Sequence, residues 1–68
     1  MNEEAANMDI RKFLKQVGIT SQREIEKALE KAAAAGKLDG VGPLETSMTL
    51  TIDALGLEHT VDGIISLE

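Results

Sequence analysis

The sequence predicts an α+β domain in which two N-terminal helices, arranged as a helical hairpin, pack on a C-terminal antiparallel β-hairpin. Three observations carry this expectation. The first half of the 68-residue chain is rich in Ala, Glu, Lys and Gln and the second in Thr, Leu, Ile and Gly, compositions that favour helix and strand respectively. Apolar residues recur at helical spacing in the first half and alternate strictly with polar ones in the second, the two periods that distinguish the two backbones. Three glycines and the sole proline cluster between them, from Gly36 to Pro43, which marks a loop.

The first helix is expected over about residues 3–17. Asn2 stands where a capping side chain belongs, and Glu3 and Glu4 fall in the first turn, next to the positive end of the helix dipole. Ala6, Ile10, Phe13, Leu14 and Val17 lie on one face. Gly18 is the expected stop, because glycine closes helices in the left-handed conformation, with Arg11, Lys12 and Lys15 near the negative end.

The second helix is expected over about 22–35. Ser21-Gln22-Arg23-Glu24 spells a capping box, in which the Ser21 hydroxyl accepts from the Glu24 amide and the Glu24 carboxylate reaches back. Ile25, Ala28, Leu29, Ala32 and Ala33 form its apolar face, and Gly36 or Asp39-Gly40 ends it.

After a loop over 36–46, strands are expected at about 47–54 and 58–67. Met48, Leu50, Ile52 and Ala54 share one face of the first strand and Ser47, Thr49, Thr51 and Asp53 the other. Too few residues remain for a crossover, so the last segment returns antiparallel. Its register has two readings. Either Asp62-Gly63 is a tight turn between two short strands, or Gly63 is a bulge in one long strand that turns Val61, Ile65 and Leu67 inward. The long strand is preferred because it matches the first strand in length. In that register Ile64 points outward among Thr60, Asp62, Ser66 and Glu68.

Composition narrows the function classes. Leu, Ile, Val and Phe make up eighteen of the 68 residues, enough for a compact domain rather than a disordered chain. There is no Cys, hence no disulfide, thiolate metal site or cysteine nucleophile. With no Trp or Tyr and a single Phe, base stacking on an aromatic platform is ruled out. The start MNEEAANMDIRKF places acids before any apolar run, unlike a secretory signal, and no uncharged stretch exceeds seven residues, as from Thr46 to Ile52. A cytoplasmic protein without a membrane partner is the expectation. Charge is divided along the chain: residues 1–37 hold seven bases against six acids, whereas residues 38–68 hold six acids and no base.

Candidate chemistry is thin. His59, the one imidazole, is flanked by Glu58 and precedes Asp62 by three residues, which at most suggests a weak oxygen-rich metal site. On a strand, however, Glu58 and His59 point to opposite faces, and the plainer reading is a histidine bonded locally beside the sheet edge. Ser21, Ser47 and Ser66 have no local His, and GKLDGVG lacks the order of a phosphate-binding loop. No catalytic residue, cofactor or metal is expected, and the chain is read as a non-enzyme.

The segments NMDIRKFLKQVGITSQREIEKAL and MTLTIDALGLEHTVDG resemble a small family of bacterial proteins of about this length, described only as a domain of unknown function. The resemblance implies a compact free-standing protein, with no assigned activity and no functional residues to carry over.

Two functional readings follow from the residues. In the first, the chain is a protein–protein interaction module: a homodimer, or the binder of an unidentified protein, that associates through Thr60, Asp62, Ile64 and Ser66 and through the unpaired strand edges. The alternative is winged-helix-like nucleic-acid binding by the second helix, with Arg23, Lys27 and Lys31 as a basic stripe and Gln22 near a base. A net charge of −5 and an all-acidic hairpin in the place of a basic wing argue against it, because a duplex would repel them. Glu24, Glu26 and Glu30 also partly neutralise the stripe, as on any solvated helix face.

Overall fold

The computed structural model describes all residues, Met1–Glu68. The chain forms two compact units, Met1–Leu38 and Asp39–Glu68. The first is one helix, α1 (Glu3–Ala34); the second is a hairpin of β1 (Leu44–Ile52) and β2 (Leu57–Ile65). The α+β class is as the sequence predicts, but the two helices are one.

The N-terminus of α1 is built as its residues dictate. Asn2 is extended, and its side-chain oxygen accepts from the Ala5 amide at 3.1 Å, satisfying one of the donors that a helix start leaves unpaired. The C-terminus is a Schellman closure: the Gly36 amide donates to the Ala33 carbonyl at 3.1 Å and the Lys37 amide to the Ala32 carbonyl at 2.9 Å. Gly36 takes φ 69° to make it, a conformation that costs any residue with a Cβ.

The expected stop at Gly18 and start at Ser21 are both overturned. α1 runs for 32 residues through Gly18-Ile19-Thr20-Ser21, and Gly18 is not among the glycines with positive φ. The energies explain why. A glycine inside a helix costs about 1 kcal/mol relative to alanine, whereas a break would leave up to four carbonyls unpaired before it and four amides after it. Thr20 adds a local tie, its Oγ1 donating to the Gln16 carbonyl at 2.8 Å. Inside a continuous helix the Glu24 amide belongs to the Thr20 carbonyl, so the capping box at Ser21 does not form.

In the hairpin unit, β1 and β2 pair antiparallel without interruption, from Leu44 opposite Ile65 to Ile52 opposite Leu57. The preferred long strand is correct, but neither detailed reading at Gly63 holds: there is no Asp62-Gly63 turn, and Gly63 faces Thr46 in regular register with no bulge. A bulge is unnecessary because Val61, Gly63 and Ile65 already alternate with Asp62 and Ile64. The strands turn instead through a single 3-10 turn at Asp53–Leu55, closed by the Gly56 amide on the Asp53 carbonyl at 3.1 Å, with Gly56 left-handed at φ 61°.

Candidate interaction surface

The pairing register sorts the hairpin into two chemically distinct faces, since directly opposed residues share a face. One carries Leu44, Met48, Leu50 and Ile52 from β1 and Leu57, Val61 and Ile65 from β2. Thr46 and Gly63 complete it near one end and His59, opposite Leu50, near the other. No acid, Lys or Arg lies on this face. The other face carries Glu45, Ser47, Thr49 and Thr51 against Glu58, Thr60, Asp62 and Ile64, with the Thr49 and Thr60 hydroxyls hydrogen-bonded at 3.0 Å across the strands.

The side chains of the apolar face range from half-buried to exposed. Leu44, Leu50 and Ile65 are half-buried, but Met48 is 45% exposed and Val61 57%. No side chain anywhere in the chain is fully buried. The hairpin thus carries apolar side chains on one side that remain partly open to water.

The expected association residues fall elsewhere on the same ribbon. Thr60, Asp62 and Ile64 lie on the polar face, where Ile64 sits opposite Glu45 and is 72% exposed. Ser66 lies past the end of β2, its Oγ 3.4 Å from the Glu68 backbone. Glu45–Ser47 and Asp62–Ile64 border a wide open depression at that end of the hairpin. Its two carboxylates, Glu45 and Asp62, stand on adjacent pairs of the polar face, and no three His, Cys, Asp or Glu side chains converge to hold a metal. His59 stands apart from Glu58, which is on the opposite face.

Gln22, Arg23, Lys27 and Lys31 are all exposed on α1. Arg23, Lys27 and Lys31 fall on successive turns, with Gln22 about 100° round from Arg23. Lys27 Nζ lies 3.6 Å from Glu24 Oε1, both side chains about three-quarters exposed, so the pair contributes little. With no turn between residues 18 and 21, the helix-turn-helix outline behind the nucleic-acid reading is absent.

Sequence reasoning started both strands late and so missed Leu44 and Leu57. The signal was present: the alternation of Met48, Leu50 and Ile52 extends back through Thr46 to Leu44. The glycine-rich loop obscured it. No helix is long and apolar enough to cross a membrane.

Comparison with known proteins gives a family and nothing more specific. No curated protein and no solved structure matches the chain. Over residues 1–68 it matches the Family of unknown function (DUF6494), and to that family the chain belongs.

Proposed function

We propose that this protein is a small non-enzymatic interaction module of the cytoplasm that self-associates through its C-terminal hairpin. One observation carries the reading: seven aliphatic side chains share a hairpin face that bears no acid, Lys or Arg. The residues from Asp39 on hold six acids and no base, so two copies repel wherever those acids meet. The uncharged face lets two hairpins approach without bringing carboxylates together. The edges of a two-stranded sheet offer a further means of pairing through free backbone groups, beside Thr60, Asp62, Ile64 and Ser66.

Light scattering across a range of protein concentrations tests the reading. The expected result is a mass above the 7.3 kDa of one chain, returned to that value by Val61→Asp, since burying an unpaired carboxylate costs several kcal/mol. Ile64→Asp probes the polar face in the same way. A monomer at every concentration sinks the proposal. A mass that rises only with added duplex, and falls with Lys27→Glu or Lys31→Glu, would favour the basic stripe of α1 instead.

A further inference from the structure

We infer that α1 pairs antiparallel with α1 of a second copy, through a stripe that runs unbroken past Gly18. The inference rests on the reading that the chain self-associates, but it uses a different surface.

The continuity of α1 brings together two apolar faces that the sequence otherwise divides. Ala6, Ile10 and Leu14 are followed at 11-residue spacing by Val17, Ser21 and Ile25, and then by Ala28 and Ala32. The steps are four, four and three residues in turn. An 11-residue repeat corresponds to about 3.67 residues per turn, close to that of a straight helix, so the stripe keeps to one side along its whole length. Val17, Ser21, Ile25 and Ala32 are half-buried, while Ile10 is 54% and Leu14 52% exposed. An amphipathic stripe spanning about 39 Å of helix is longer than a globular helix ordinarily needs and of the kind that meets another helix.

Charge selects the partner and its direction. Residues 1–9 carry Glu3, Glu4 and Asp9 and no base, whereas residues 31–37 carry Lys31 and Lys37 and no acid. Antiparallel pairing of two copies sets each acidic start beside a basic end and opposes the helix dipoles. Parallel pairing stacks three acids on three acids. The midpoint of α1, where the two-fold axis of an antiparallel pair passes, falls between Gly18 and Ile19. A Cβ placed on Gly18 would meet nothing within 4 Å in its own chain. Within one chain the glycine therefore gains no packing for its helix cost, whereas at a crossing it lets two backbones approach closely.

The chain has no cysteine of its own, which allows a direct test. Ala6→Cys and Ala32→Cys chains, mixed and treated with a mild oxidant, are expected to give mainly the 6-to-32 disulfide, because only close Cα pairs can be bridged. Gly18→Leu, which puts a good helix former in place of a poor one, is expected to weaken association at least tenfold. A dominant 6-to-6 product, or no cross-link together with an unchanged mass for Gly18→Leu, overturns the inference. Val61→Asp separates the two surfaces. If only it dissociates the protein, the hairpin reading stands and the helix pair fails; if only Gly18→Leu does, the reverse holds.

Discussion

The helix unit and the hairpin unit show two ways in which a short chain acquires an amphipathic surface. In α1 every backbone bond is local and both charge signs are interspersed, so the element is closed by what lies three or four residues away. In the hairpin, the opposed residues lie five to twenty-one positions apart, from Ile52↔Leu57 beside the turn to Leu44↔Ile65 at the open end, and the acids have no Lys or Arg among them. The helix therefore tolerates an unfavourable residue in its middle, such as Gly18, while the hairpin depends on its turn. The difference teaches that a poor residue matters by the number of bonds that its conformation controls, not by its intrinsic propensity.

Four variants sharpen or break that contrast. The largest effect is expected at the turn. Gly56 is left-handed, and Gly56→Val forces a β-branched residue into a region that costs about 2 kcal/mol, read as faster hydrogen exchange of the β1 and β2 amides. Unchanged protection would show that the hairpin is not held by its turn. Next come two identical substitutions in the helix unit with opposite signs. Gly36→Ala is expected to lose about 1 kcal/mol because the Schellman closure needs positive φ, whereas Gly18→Ala is expected to gain up to about 1 kcal/mol. Both are read from thermal melts at a concentration where the chain is monomeric. Loss of stability in Gly18→Ala would restore the two-helix arrangement. The smallest effect is Glu24→Gln, which breaks the exposed pair with Lys27 and is expected to shift stability by at most a few tenths of a kcal/mol, disappearing at high salt.

Much of the fold is legible in the residues, and the parts that are not share a cause. Asn2 and Gly36 announce the helix ends because caps are made by side chains and turns within a few positions. The alternation from Leu44 to Ile52 announces the strand and its faces. Gly18 and Ser21-Gln22-Arg23-Glu24 mislead because they are genuine end signals that compete with an uninterrupted ladder of amide bonds. A motif states what a segment is able to do when flanking bonds do not outweigh it. The candidate surface followed the same pattern: Ile64 was found on the polar side, but the full apolar face required knowing that Leu44 stands opposite Ile65 and Leu57 opposite Ile52.

Local chemistry in this sequence thus determined the class, the helix caps, the two strands with their alternating faces, and the division of charge. The tertiary structure decided that one helix spans Gly18 and that Gly63 faces Thr46 in regular register. Both are choices between competing sets of hydrogen bonds, and such a choice is made by the sum over the whole element, which no single residue carries.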